Sequence, residues 1–233
     1  METEETVKEG LVTASKAKSI WLAFVDIVLF AVLSMIFLFL FAIPFALVFP
    51  ELKTEVGETN IYFQMLNEVL MLVSGLIAAC MVLGFRKLPF SGLGLSLKGW
   101  GRSLLRGALF VVFLYVVGFG LSLLLGAVEV VGFLFSPISL LVSLLLYFFV
   151  AVTEEVIGRG FILGRMLDGG INKFVALFIS AVLFSLMHLF NPNFAFVPFL
   201  NIMVAGCFLG ASYIYTRNLC FPIALHWFWN WIQ

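Results

Sequence analysis

Apolar runs of about 20 residues recur along this chain, and each is long enough as a helix to cross a hydrocarbon core of about 30 Å. Inside lipid every backbone N–H and C=O must be satisfied within the protein, so runs of this length are expected to span as helices. The expectation is an all-α, polytopic transmembrane bundle. Composition agrees: 63% of residues are hydrophobic and 11% charged, against roughly 25% charged in soluble domains.

Seven spans can be drawn, at about residues 20–49, 61–85, 104–125, 137–167, 172–190, 194–215 and from 219 onward. The first apolar run is too long for a signal-peptide core and is expected to remain as a span. Residues 1–19 form a polar segment, expected to be cytoplasmic and poorly ordered, and residues 20–233 form one transmembrane domain. The last run holds only about 15 residues, short of a full crossing. With the N-terminus inside, Lys8, Lys16, Lys18, Arg86, Lys87, Lys98, Arg102, Arg106, Arg159, Arg165, Lys173 and Arg217 fall on the cytoplasmic side, and Lys53 alone falls outside. That bias is what the positive-inside rule requires.

The 13 basic and 13 acidic residues balance, and no basic arm is present, so nucleic acid is not an expected partner. Cys80, Cys207 and Cys220 are widely spaced and read as apolar fillers rather than a disulfide or thiolate-metal framework. The Gly-rich, basic stretch at 88–106 reads as a turn followed by an interfacial anchor. Asp26, Gln64 and Glu68 lie near span ends and read as interfacial, and Trp227, Trp229 and Trp231 suit an aromatic belt. Gly206 and Gly210 form a small-residue motif that permits close helix packing. Asn191, Pro192 and Asn193 read as an external turn.

The chain's two histidines, His188 and His226, both lie in apolar stretches together with other groups that hydrocarbon rejects. Ionisable side chains at membrane depth are costly and usually mark a functional site. Glu155 and Arg159 are four apart and can pair on one helix face. Glu154 points about 100 degrees away and has Gly158 rather than a cation one turn on, so it is the better candidate for a reactive carboxylate. The breaker cluster Asp168, Gly169 and Gly170 folds the fourth and fifth spans into an antiparallel pair, bringing Glu154 and His188 to similar levels. Phe184 precedes His188 by one turn, and His226 and Asn230 share a face of the last span.

Two chemistries fit these groups. In one, Glu154 and His188 activate a water that attacks a peptide carbonyl, while His226 and Asn230 donate hydrogen bonds to the oxyanion, and no cofactor is needed. In the other, Glu154, His188 and His226 ligate zinc and leave a position open for water.

At these residues the chain resembles the CPBP family, the intramembrane endopeptidases that include the type II CAAX prenyl proteases. The resemblance rests on Glu-Glu-Val-Ile-Gly-Arg at 154–159, Phe-Ser-Leu-Met-His at 184–188 and His-Trp-Phe-Trp-Asn at 226–230, in the family's order on three spans, and it covers about residues 137–233. It implies Glu154 as general base aided by His188, His226 and Asn230 at the oxyanion, and Arg159 in support. It also implies a cavity open to the cytoplasmic side, a membrane-anchored or lipidated substrate of prenylated CAAX type, and the metal-free chemistry over the zinc one. The compact chain looks like the family's prokaryotic members, in a cell membrane. A non-catalytic scaffold or bacteriocin self-immunity protein retaining the motif is the alternative. A proton-linked transporter is a third reading, against which stands the lack of an internal repeat.

Overall fold

The computed structural model describes residues 4–49 and 61–233, and among them the regular structure is helical throughout. Seven helical segments follow one another: α1 (Glu4–Val48), α2 (Ile61–Arg86), α3 (Trp100–Leu124), α4 (Pro137–Asp168), α5 (Lys173–Leu186), α6 (Phe196–Thr216) and α7 (Cys220–Ile232). The all-helical, multi-span expectation holds, with one refinement. Five helices (α1 from Thr13, α2, α3, α4 and α6) are long and apolar enough to cross a membrane, whereas α5 and α7 have 14 and 13 residues, short of the roughly 20 a crossing needs. Helix α1 begins at Glu4. Lys53 lies outside the described residues.

Local chemistry accounts for the helix starts. Ser136 caps α4 by accepting from the Ser139 N–H, with Pro137 in the first turn where its missing N–H costs nothing. Asn172 Oδ1 accepts from the Phe174 N–H at 2.9 Å and opens α5. Within α4 the backbone widens into a π-helical stretch over Val156–Leu163, all of it buried. Irregularities of this kind inside α-helices are frequent at functional sites.

Helix α4 is the central post. It packs between α2 and α7, and its π stretch also meets α5 and α6. Helices α5 and α6 form a tight pair because Gly206 and Gly210 carry no Cβ. An added Cβ at Gly206 would lie 3.1 Å from Ala181 Cα, and one at Gly210 would lie 2.6 Å from Leu177. The small-residue motif thus packs the bundle, as expected.

Three peripheral assignments are corrected by the structure. Asp26 is not interfacial but fully buried, where Arg86 Nε donates to its Oδ1 at 2.6 Å and Arg165 Nη2 to its Oδ2 at 2.9 Å. Asp168 extends this network to Arg217 Nη1 at 3.1 Å. The middle of α1 and the ends of α2, α4 and α6 are therefore tied by charge.

The stretch after α2 is likewise more than an anchor. It folds back into the bundle through a 3-10 turn, Phe90–Leu93, with Leu93 buried. Tyr213 donates its hydroxyl to Gly92 O at 3.1 Å, Leu219 N donates to Gly94 O at 3.0 Å, and Cys220 Sγ donates to Ser96 O. Gly94 has φ +73, and a Cβ there would sit 2.8 Å from the Tyr213 ring, so glycine is required on both counts. Finally, Trp227 and Trp231 donate their indole N–H groups to Leu144 O and Leu140 O, fastening α7 to α4 instead of forming a belt.

Replacing Asp26 by Asn leaves two guanidinium groups at a buried junction without their counter-charge. Loss of one member of a buried pair costs on the order of 3 kcal/mol. Asp26→Asn is expected to lower the thermal unfolding midpoint in detergent well below wild type, and an unchanged midpoint would contradict the role given to this junction.

Candidate active site

Glu154 and Glu155 are the last residues of α4 before its backbone widens. Being adjacent on a helix, they face different ways. Glu155 turns into the protein and is fully buried, and Arg159 Nη1 donates to its Oε1 at 2.7 Å. Arg159, 1% exposed, also reaches Gly206 O on α6 at 3.4 Å and lies 4.0 Å over the Phe184 ring on α5. The same Glu155 oxygen accepts from His226 Nδ1 on α7 at 2.8 Å. One buried carboxylate thus joins the three motifs, neutralised by the guanidinium and fixing the imidazole.

Glu154 faces the other way, toward both histidines. Its Oε2 lies 3.6 Å from His188 Nε2 and 3.7 Å from His226 Nε2, and this oxygen has no hydrogen-bond partner among the described residues. The histidine tautomers follow from their outer partners. His188 Nδ1 lies 2.9 Å from Phe184 O, and a carbonyl can only accept, so Nδ1 carries the proton and Nε2 presents its lone pair. His226 Nδ1 faces a carboxylate oxygen and is fixed in the same way. Three acceptors therefore converge at separations too long for direct hydrogen bonds. A donor between them satisfies the arrangement, and a water molecule is the simplest one.

The Phe184 ring stands edge-on to both imidazoles, with centroids 4.9 Å from His188 and 6.1 Å from His226. The structure brings together Glu154, Glu155, Arg159, Phe184, His188 and His226. Asn230 sits one turn beyond His226 on α7, half-buried, with no hydrogen-bond partner among the described residues. His188 is placed just past the end of α5 rather than within the helix.

Among the described residues no group of three or more His, Cys, Asp or Glu side chains is arranged to hold a metal ion.

One site residue escapes the one-dimensional reading. Glu68, on α2, is not interfacial: it interacts electrostatically with Glu154 and His226, and its Oε2 is buried without a hydrogen-bond partner. Thr153 Oγ1 donates to the Glu68 backbone carbonyl at 3.2 Å, which holds α2 level with the Glu154 turn of α4. Gln64, four residues earlier, is the available signal, since two polar residues at that spacing mark one face of an otherwise apolar helix.

Residues 136–232 match the family model described as Rce1-like, type II CAAX prenyl endopeptidase Rce1-like. This stretch of the chain is similar to that family. It begins at the cap of α4 and ends with α7, so it takes in every motif residue described above except Glu68, which α2 supplies from outside it. No curated protein and no solved structure matches the chain. The Rce1-like match supports a peptide hydrolase of the CAAX-type intramembrane kind, acting on a protein substrate in a membrane, and the five long apolar helices make the chain an integral membrane protein.

The two adjacent glutamates should separate in a stability measurement. Glu155→Gln leaves Arg159 buried without its counter-charge and is expected to cost on the order of 3 kcal/mol. Glu154→Gln breaks no hydrogen bond and is expected to change stability by less than about 1 kcal/mol. Thermal unfolding of the two variants side by side in detergent checks this, and equal losses would refute the division of roles.

Proposed function

We propose that this protein is a metal-independent intramembrane endopeptidase in which Glu154 is the general base. The observation that carries the reading is the convergence of the Nε2 atoms of His188 and His226 on Glu154 Oε2, at 3.6 and 3.7 Å. A water held there donates one proton toward Glu154 while His188 orients it. Its oxygen attacks the scissile carbonyl carbon, forming a C–O bond and placing negative charge on the carbonyl oxygen. Asn230, on one face of α7 with His226, donates its amide N–H to this oxyanion, and His226 joins it when Nε2 as well as Nδ1 carries a proton. Collapse of the intermediate breaks the C–N bond, and the proton taken by Glu154 passes to the leaving amine.

The supporting residues act through these. Glu155 holds His226 by its Nδ1 and so aims Nε2 into the site, while Arg159 holds Glu155 in place. Phe184 orients His188 through its backbone carbonyl and forms the apolar wall against both rings. Glu68 adds a third carboxylate facing Glu154, and its substitution by Gln is expected to alter the activity without abolishing it. The substrate is a membrane-delivered protein or peptide, for which a prenylated CAAX terminus is one case among apolar segments.

Purified protein in proteoliposomes, given a quenched fluorescent apolar peptide and a prenylated CAAX-type peptide, tests the reading. Glu154→Gln and His188→Ala are each expected to lower the cleavage rate by a factor of about 100 to 10,000, the range lost when acid–base catalysis is removed. Prolonged chelation is expected to leave the wild-type rate unchanged. Full activity in Glu154→Gln would transfer the protein to the scaffold or immunity class, and loss on chelation with recovery on zinc would establish the metal chemistry instead.

A further inference from the structure

Glu68 has no step in the chemistry given to Glu154, His188, His226 and Asn230, yet α2 is built to hold it beside them. Glu68 and Gly75 are seven apart, two turns of helix, and so share one face of α2. That face meets α4: a Cβ added at Gly75 would lie 3.5 Å from Ile157 Cγ1, at the start of the π stretch. One residue before Glu154, Thr153 Oγ1 donates to the Glu68 backbone carbonyl at 3.2 Å. Two helices thus make Glu68 and Glu154 electrostatic neighbours, and each has a buried Oε2 with no hydrogen-bond partner among the described residues.

Neither carboxyl group is matched by a strong cation. Among the described residues no Lys or Arg lies within ion-pair distance of Glu68 or Glu154, and Arg159 gives its Nη1 to Glu155. With the lone pairs of His188 Nε2 and His226 Nε2, the two Oε2 atoms bring the acceptors of the site to four. One water has two protons to give, so a further donor is needed to satisfy them. The water serves Glu154 and His188, and His226 works with Asn230 at the oxyanion. Glu68 remains, and a scissile peptide carries one donor of its own, the N–H next to the carbonyl under attack.

We propose, on the proteolytic reading of the site, that Glu68 Oε2 accepts the N–H of the peptide bond being cut and steadies its nitrogen as it leaves. The path of the proton gives the position. What Glu154 takes from water ends on this nitrogen, so the nitrogen comes beside Glu154, where Glu68 is the neighbouring acceptor without a partner. Once the proton arrives, the nitrogen holds two hydrogens and a positive charge, and Glu154 is a carboxylate again. The C–N electron pair then passes to nitrogen as that bond breaks, and a neutral amine departs. A neutral N–H thus becomes a charged one during the reaction, between two carboxyl groups that no Lys or Arg answers. The contact from Glu68 is stronger in the transition state than in the bound substrate, and its loss falls on kcat more than on KM.

A peptide and its ester analogue, identical except that oxygen replaces the scissile N–H, separate this role from a structural one. The peptide is the quenched fluorescent apolar substrate, with its cut site mapped by mass spectrometry and rebuilt as the ester. Glu68→Gln keeps the shape and removes the charge, and Glu68→Leu removes the acceptor altogether. On the peptide each is expected to lower kcat by a factor of about 10 to 100, the worth of one charge-assisted hydrogen bond. On the ester, which has no hydrogen for Glu68 to accept, most of that loss is expected to vanish. Both substrates are read on the same preparation, so misfolding of a variant lowers the two rates alike and leaves their ratio intact. Equal losses on peptide and ester, or no loss on the peptide, overturn the proposal and leave the proteolytic reading standing on its dependence on Glu154. A wild type that cuts neither substrate overturns both.

Discussion

A fully buried carboxylate, Glu155, accepts from Arg159 at 2.7 Å and from His226 at 2.8 Å through the same oxygen. In a membrane-embedded core an unpaired charge is far more costly than the pair, so each of these groups holds the others to one geometry. Arg159 spreads the constraint further, to the Gly206 carbonyl on α6 and the Phe184 ring on α5. Four helices are thus registered on one ion pair. The neighbouring Glu154 can be left without a hydrogen bond at Oε2 because its backbone is already fixed by this pairing.

The second constraint is the inserted loop. Helix α7 has 13 residues and could not cross a bilayer. By starting on Gly94 O and Ser96 O instead of at the surface, it delivers His226 to the level of Glu154. The π stretch of α4 and its glycines create the space into which Leu93 O fits. A local widening of one helix, a glycine-bearing loop and a short terminal helix are therefore parts of a single arrangement.

Much of this was legible in the sequence because it depends on short-range spacing. The separation of Glu155 and Arg159 by four residues, the 100 degree offset of Glu154 and the turn at 168–170 are local geometry, and they place Glu154, His188 and His226 together. What was not legible depends on contacts across distant segments. Asp26 and Glu68 resemble interfacial acids in a one-dimensional reading, and only their partners, Arg86 and Arg165 for one and Glu154 for the other, reveal a junction and a third site carboxylate. The docking of residues 88–99 likewise depends on Tyr213 and Leu219, more than 100 residues away. The bond from His226 to Glu155 rather than to Glu154 has the same origin, since adjacent glutamates are equally close in sequence.

The central claim is that the position between Glu154, His188 and His226 hydrolyses peptide bonds in the membrane. Mass spectrometry of protein termini, in membranes carrying wild-type protein or Glu154→Ala at matched expression, tests it whatever the substrate is. The account predicts a set of new termini present only with the wild type and flanked by apolar sequence. Identical terminal profiles at comparable coverage would contradict it.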